Sequence, residues 1–305
     1  MILSALLKIS LPILLGYGLK KSGYFSEEHT SSVRLFCVRI PIPALIFMNL
    51  YTSDMSTVKQ FLPLSLSAFL FTGFSWAASV GLTKLFRITR HRIEIILIII
   101  FSNVGYIGWA VLNVILGDGG LRRGIFISSF WWPNMYLYSF LTILVCRGGG
   151  SLKGEGKNIT ANIIPPIIAV FLGLIMNLSG LNVPEDLQLF FSSFAVMTVP
   201  LILFTVGMTI SVKDSISDIK RLLPLSFIRT VISLGAMMLT ILVLPMLDET
   251  SRKSLLIEAF MPVGAGNLIM AHVFNLDNRF ISSAIALSTL VSFAVIPVMV
   301  GIFAG

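Results

Sequence analysis

Charged residues are scarce in this chain. Only 12% of its 305 residues are Asp, Glu, Lys or Arg, whereas 56% are hydrophobic and the mean hydropathy is +0.93. A soluble domain usually carries about 25% charged residues, because its surface must face water. Half of that share leaves too little polar surface for a soluble fold. The excess apolar surface therefore requires lipid as its solvent.

Cysteine and histidine are also rare, with two and three copies. Cys37 and Cys146 lie inside or at the end of apolar segments without a paired spacing, so the sequence predicts neither a disulfide framework nor a metal site. The protease and hydrolase motifs Gly-x-Ser-x-Gly and His-Glu-x-x-His do not occur. We therefore expect neither enzymatic activity nor a cofactor.

The net charge of +8 does not indicate a nucleic-acid partner, because the basic residues stand in short clusters between apolar stretches.

An apolar stretch of about 20 residues spans a bilayer core of about 30 Å. The predicted spans are 3–19, 33–51, 61–82, 93–116, 124–146, 161–181, 187–210, 222–247, 254–274 and 280–303. The sequence thus predicts an all-α membrane protein with ten transmembrane helices and the lipid bilayer as its surroundings.

The connection at 147–160 is the longest between the predicted spans, and it is polar and rich in glycine. It separates five spans in residues 1–146 from five in residues 161–305. Connections after odd-numbered spans hold fourteen Lys and Arg residues, against five after spans 2, 4, 6 and 8. Because basic residues favour the cytoplasmic side, the linker is predicted to be cytoplasmic. Both termini of this multi-pass protein are then predicted to lie outside the cell membrane.

The second half of the chain repeats a sparse pattern of the first half. The matched residues are Gly16 with Gly173, Gly23 with Gly180, Pro43 with Pro200, Gly105 with Gly264, and Asp118 with Asp277. The first three pairs are 157 residues apart and the last two are 159 apart. Because each copy holds an odd number of spans, the second copy enters the membrane from the opposite side. The pattern predicts a 5+5 inverted repeat, a common plan among secondary transporters.

Helix-breaking residues interrupt spans 4 and 9 at matching depth. Asn103 lies ten residues past Ile93, about 15 Å into the membrane at 1.5 Å per residue. The matching stretch of span 9 runs from Pro262 to Asn267. Paired interruptions indicate a transport site, and the N-termini of half-helices suit an anion. The alternative is that these glycines allow close helix packing and that the asparagines bond neighbouring helices.

These motifs resemble the auxin efflux carrier family, which includes plant PIN proteins and bacterial carriers of organic acids. The most specific matches are Pro41-Ile42-Pro43, Asn103–Gly108, Gly117-Asp118, and Met261–Gly264 running on to Ser282-Ser283. The resemblance covers all ten spans and implies the bile-acid/auxin transporter superfamily fold. In that fold spans 1, 2, 6 and 7 form a scaffold, and spans 3–5 and 8–10 form a transport domain in which spans 4 and 9 cross. It also implies a homodimer that pairs through spans 2 and 7.

The resemblance implies a secondary transporter that moves a small organic carboxylate anion by an elevator-type mechanism, with efflux as the expected direction. Asn103 matches the family's substrate-facing asparagine, and Pro262 matches its crossover proline. The predicted substrate-binding residues are Asn103, Gly105, Tyr106, Pro262, Gly264, Asn267 and Arg39. A sodium-coupled symporter of the bile-acid type has the same architecture and is the alternative. It requires clustered carboxylate and hydroxyl oxygens, whereas Glu258 is the only carboxylate near the break.

Ionisable residues inside predicted spans are functional candidates, because burying an unpaired charge is costly. Glu258 lies one helical turn before Pro262; it could carry a coupled proton, or it could pair with an arginine. His272, near the cytoplasmic end of span 9, is a second coupling candidate, with interfacial solvation as the alternative. Arg39 could face the anion, reach toward the cytoplasm or cap carbonyls near Pro43. For Arg229, a structural pairing is the favoured interpretation.

Overall fold

A computed structural model describes residues 2–147, 157–209 and 219–303. In these ranges the chain is almost wholly helical, and the strand-like pairing in them is a single bridge between Ser102 and Val263. Helices suit a lipid environment because they satisfy every backbone polar group within the segment. The predicted all-α class is confirmed.

The first half of the chain forms eight helices and one π-helical turn within residues 2–147. They are α1 (Ile2–Lys21), α2 (Glu27–Arg39), α3 (Pro41–Tyr51), α4 (Met55–Val58), α5 (Phe61–Leu85), α6 (Arg92–Ile100), the π turn (Val104–Gly108), α7 (Trp109–Ser128) and α8 (Trp131–Arg147). The described part of the second half forms α9 (Lys157–Ser179), α10 (Glu185–Thr209), α11 (Ile219–Val243), α12 (Glu249–Ala259), α13 (Asn267–Val273) and α14 (Asn278–Phe303).

Five segments of the described ranges are long and apolar enough to cross a membrane. They are Glu27–Tyr51 (α2 with α3), Phe61–Leu85 (α5), Glu185–Met208 (α10), Ile219–Val243 (α11) and Asn278–Phe303 (α14). A shorter apolar helix runs over Ile164–Ser179, within α9. The remaining predicted spans fall on α1, on α8 and on the interrupted pairs α6–α7 and α12–α13. The chain is thus a multi-pass membrane protein, and the count of ten spans stays a prediction. Residues 148–156 of the predicted linker lie outside the described ranges.

The region between predicted spans 4 and 5 differs from the prediction. The helix breaks at Gly117, directly after the predicted end of span 4 at residue 116. The expected loop over Gly117–Gly120 is shorter than predicted, because helix resumes after Gly117 and runs to Ser128, and α8 begins at Trp131, not at residue 124. Only Gly117 leaves the helical conformation within this stretch, with φ 65° and ψ −157°, which glycine adopts at little cost. Buried Ile125 packs in the apolar core, which favours helix beyond the kink.

The helices α1, α2, α3, α9 and α10 pack on one another as one group, which we call the scaffold group, and glycines permit the closest contacts, between α1 and α10 and between α9 and α3. At Gly16, a Cβ atom would collide with the backbone of Phe204 in α10. At Gly173 of α9, a Cβ atom would lie 3.0 Å from the carbonyl oxygen of Phe47 in α3. The absence of side chains at both positions lets the helix backbones approach. The remaining long helices pack mainly on one another and hold the interrupted segments.

Candidate functional site

The two interrupted helices meet where each one stops. After α6, the chain is extended at Phe101, and its carbonyl oxygen accepts a 2.8 Å hydrogen bond from the N–H of Gly264. The N–H of Asn103 donates to the carbonyl oxygen of Pro262, also at 2.8 Å. The backbone N–H and C=O groups that lose their helical partners at one break therefore form hydrogen bonds with those at the other break. Buried backbone groups in a membrane need such partners. We call these paired segments, 101–103 and 262–264, the crossing.

A buried arginine of α11 donates hydrogen bonds to the crossing and to the end of α6. The Arg229 Nη2 donates to Ser102 Oγ at 2.6 Å and to the Pro262 carbonyl oxygen at 3.3 Å. Its Nε donates to the carbonyl oxygen of Ile98 at 3.2 Å, in the last turn of α6. The side chain is 2% exposed. Its positive charge suits the carbonyl end of α6, so the predicted structural pairing of Arg229 is what the structure shows.

Asn103 begins the π turn that leads into α7. Its Oδ1 accepts a long 3.4 Å hydrogen bond from the N–H of Ile107, which caps the turn. Its Nδ2 has no acceptor among the described residues, although the residue is only 3% exposed. An unpaired buried donor is costly, by about 1–3 kcal/mol. The amide is therefore available to a ligand that brings an acceptor.

A cleft lies against this asparagine, between the crossing and the scaffold group. Its cavity volume is about 90 Å³, and its mouth is open to solvent. The residues that line it include Arg34, Ser102, Asn103, Gly105, Trp109, Trp131, Pro133 and Gly264. Val38, Ile42 and Ile46 form an apolar wall on α2 and α3, and Pro166 closes the cleft from α9.

The charge in the cleft is positive. Arg34 lines it, and in the described ranges this arginine takes part in no ion pair, while none of the lining residues is acidic. Ser102 Oγ accepts from Arg229, so its own hydrogen can point elsewhere. Together with Asn103 Nδ2, these groups are hydrogen-bond donors set among apolar walls. Such an arrangement suits an organic anion with an apolar body.

The structure divides the predicted binding residues. Asn103, Gly105 and Gly264 line the cleft. Pro262 does not; it acts through its carbonyl oxygen, which lies within the crossing. The amide of Asn267 is buried and donates to the carbonyl oxygens of Phe101 and Gly264, at 3.3 and 3.0 Å, which is a structural role.

Arg39 lies outside the cleft, contrary to the prediction that placed it among the binding residues. It is exposed in the last turn of α2, whereas Arg34 and Val38 face inward. Residues four apart share one face of a helix, and Arg39 is rotated away from that face. The side chains of Tyr106 and His272 are outside the described part of the structure, so their predicted roles stay predictions.

Several cleft residues did not emerge from the sequence as binding residues. Arg34 was one of the basic residues that predicted the orientation in the membrane, and it was not among the predicted binding residues. Its spacing of four residues from Val38, and of eight from Ile42, could have indicated that the three share one helix face. Trp131 and Pro133, which were not among the predicted binding residues, also line the cleft. Trp131 also makes an edge-to-face contact with Phe101, with ring centroids 5.8 Å apart.

Comparison with known proteins places this chain among transporters. A family profile described as "Membrane transport protein" matches residues 1–300. The chain is 27% identical over 293 residues to an uncharacterized transporter of Methanocaldococcus jannaschii, covering 93% of each protein. It is 28% identical over 306 residues to one of Methanothermobacter thermautotrophicus, covering 95% of each. The uncharacterized transporter YfdV of Escherichia coli K12 is 23% identical over 299 residues, or 93% of this chain and 92% of YfdV.

Proposed function

Because the chain belongs to the membrane transport protein family of auxin efflux carriers, we propose that it carries a small organic carboxylate anion across the cell membrane. Membership of a transporter family implies that it is not an enzyme. The observation that carries the proposal is the unpaired, buried Nδ2 of Asn103, a residue that lines the cleft together with the charged Arg34. A carboxylate supplies the acceptor that the amide lacks and the negative charge that the guanidinium attracts.

The expected chemical character of the substrate follows from the residues that line the cleft. Trp109, Trp131 and Ile42 offer apolar surface, while the donors are few and lie close to the crossing. An anion with one carboxylate at Asn103 and a short or aromatic body along the tryptophans fits this distribution. Malonate, malate and an indole-type monocarboxylate are therefore the first compounds to compare.

Two symmetric features support a 5+5 inverted repeat. Gly23 and Gly180 both have positive φ, 80° and 66°, and each follows the first helix of its half. Gly16 of α1 packs on α10, and its counterpart Gly173 of α9 packs on α3. Under a 5+5 repeat, α1 corresponds to α9 and α3 to α10, so the two contacts are equivalent. Such symmetry lets one chain adopt inward-facing and outward-facing states of nearly mirrored form.

An elevator-type movement fits the arrangement of the helices. The crossing lies in the group made of α5–α8 and α11–α14, whereas the opposite wall of the cleft belongs to the scaffold group. In this mechanism the first group slides along the scaffold and carries the bound anion with it. The cleft reaches Arg34 at the start of the second span, which the distribution of basic residues assigns to the cytoplasmic side. On that orientation the described conformation is the inward-facing one.

Uniport is energetically sufficient for efflux. The membrane potential contributes about 2.3 kcal/mol per charge per 100 mV, which drives a monoanion out of a cell with a negative interior. Proton or sodium coupling is therefore not needed to explain export.

A thermal-shift screen of the purified protein tests the proposal. Carboxylates should raise the unfolding temperature in a saturable manner, because a ligand that binds the native state stabilises it. The neutral amide of each acid is the matched control and should have no such effect. Equal stabilisation by acid and amide would contradict an anion site. If the shift appears only when sodium is present, the bile-acid-type symporter is the better description.

A further inference from the structure

Glu258 is buried without a partner, and the cleft does not account for it. The side chain, in the last turn of α12, is 0% exposed. Neither carboxyl oxygen has a hydrogen-bond donor within the described part of the chain, and no Lys, Arg or His there lies within 4.0 Å of it. Placing an ionised carboxylate in such surroundings is very unfavourable, and the group takes up a proton instead.

The carboxyl group occupies a niche that two glycines create. A Cβ atom added to Gly108 would collide with both carboxyl oxygens of Glu258. A Cβ atom at Gly124 would lie 3.6 Å from Oε1, and the Leu112 and Trp109 side chains border the same position. Gly108 ends the π turn and Gly124 lies in α7, so the niche requires both segments to stay packed on α12.

Of the described basic residues in the segments packed on α12, none forms an ion pair with Glu258. These segments are α7, α11 and the π turn, and their charged or titratable residues are Asp118, Arg122, Arg123, Lys220, Arg221, Arg229 and Tyr106. On α12 itself the charged residues are Glu249, Arg252 and Lys253. Arg123 pairs with Asp248 at 2.6 Å, and Arg229 is engaged at the crossing. Glu249 and Lys253 pair with each other on the surface.

We propose that Glu258 is a proton-binding site whose occupancy controls the shape of the anion cleft. In the described conformation its carboxyl group is protonated and sits in the Gly108–Gly124 niche. Loss of the proton to water creates a charge that the buried niche, which offers it no hydrogen-bond donor among the described residues, cannot hold. Deprotonation therefore requires α12 to separate from the π turn.

The link to the cleft runs through one turn of backbone. The N–H of Gly108 donates to the carbonyl oxygen of Asn103 at 3.0 Å, so the glycine that forms the niche also closes the turn that begins at Asn103. When α12 and this turn separate, the amide that faces the cleft moves with the turn. This makes Glu258 a positioning residue for the anion site, a role that rests on the proposed function. The proton site itself does not rest on it.

Infrared spectroscopy tests the proton directly and without any substrate. At neutral pH the wild-type protein should show the carbonyl stretching band of a protonated carboxyl group, and Glu258→Gln should lose it. Glu249→Gln is the matched control on the same helix; its carboxylate is exposed, so the band should remain. Glu258→Met, of similar length, serves if the glutamine variant does not fold. A band that persists in the Glu258 variants, or that wild type lacks, would overturn the proposal.

Hydrogen–deuterium exchange tests the link to the cleft, again without substrate. The amides of residues 104–108 should exchange faster at alkaline pH in wild type than in Glu258→Gln at the same pH, because only wild type deprotonates. Gly108→Ala should raise this exchange at neutral pH, since the added methyl group displaces the carboxyl from its niche. If wild type and Glu258→Gln exchange equally at both pH values, proton loss does not move the turn.

Discussion

The N–H of Asn103 donates a 2.8 Å hydrogen bond to the carbonyl oxygen of Pro262, and this bond joins the two interrupted helices. The same asparagine leaves its side-chain Nδ2 without an acceptor beside the cleft. Its main-chain N–H therefore stabilises the crossing, while its side-chain Nδ2 can donate a hydrogen bond to a ligand. Because the two roles use different atoms, substitution of the side chain separates binding from assembly.

Asn103→Ala should weaken carboxylate binding and leave folding nearly unchanged. A hydrogen bond to a charged group contributes about 1.5–3 kcal/mol, which corresponds to roughly 10- to 150-fold in affinity. The intramolecular bond that is lost, to the Ile107 N–H, is long at 3.4 Å and contributes little. Isothermal titration with the acid found by thermal shift measures the change. Asn113→Ala, outside this cleft, is the control, and affinity that stays within about threefold of wild type would exclude the crossing as the site.

Pro262→Ala should impair transport as well as affinity. Proline disrupts a helix because it lacks an N–H and its ring clashes with the preceding turn. Alanine would favour extension of α12 into the crossing, at the expense of the backbone pairing with Asn103. Uptake into proteoliposomes measures turnover. Pro297→Ala, in the middle of α14, is the control and should transport normally. If Pro262→Ala transports at the wild-type rate, the proline is not needed, and the backbone hydrogen bonds between segments 101–103 and 262–264 are enough to keep the helix interrupted.

Arg229→Met should destabilise the protein. Its guanidinium bonds three oxygens, those of Ile98, Ser102 and Pro262, and each bond to a charged donor contributes about 1.5–3 kcal/mol. Arg229→Lys should recover part of the loss, because an ammonium group cannot reproduce the planar fork. Thermal unfolding in detergent, followed by size-exclusion chromatography, measures both. Arg252→Met removes an exposed arginine that bonds one carbonyl oxygen, and it should cost far less.

Acid should remove a contribution that Asp248 makes to stability. Burial raises the pKa of this carboxyl group, but hydrogen bonds from Arg123 and Ser251 outweigh burial and hold the pKa below its usual value. A carboxyl whose pKa is lower in the folded state stabilises that state above the unfolded pKa, about 3.9. The contribution disappears as pH falls through the folded-state pKa. The unfolding temperatures of wild type and Asp248→Asn should therefore converge below about pH 3.9, and a constant difference would contradict the assignment.

The protein should form a homodimer through the scaffold helices, as the family resemblance implies for spans 2 and 7. The mass of one chain is 33.5 kDa, so the dimer has twice that mass, 67 kDa. Light scattering corrected for detergent measures the particle. Cross-linking in native membranes, through a cysteine introduced at exposed Val196 on α10, supplies the second readout. A monomeric mass together with no cross-linked product would contradict the prediction.

Composition and local sequence were enough for the fold class and for the breaks in the helices. A chain with so few charges must place its surface in lipid, and lipid favours helices over open strands. Pro262 restricts the backbone and Gly264 frees it, and both effects act within a single turn, so they can be predicted from neighbouring residues alone. The break at Gly117 follows the same local signal. The loop expected to continue to Gly120 is helical instead, because packing against distant segments, which the local sequence does not show, favours helix beyond the kink.

Only the tertiary structure decided which side chains meet the cleft. Asn103 and Asn267 occupy similar places in the sequence pattern, yet among the described residues the Nδ2 of Asn103 has no acceptor, whereas the Nδ2 of Asn267 donates to two carbonyl oxygens. The niche of Glu258 depends on glycines 150 and 134 residues earlier in the chain. The backbone conformation of a turn depends on adjacent residues. The burial of a side chain and the identity of its hydrogen-bond partners depend on segments that are distant in the sequence and pack against it. The sequence therefore determined where the helices break, and the packing of the halves determined what each broken end can bind.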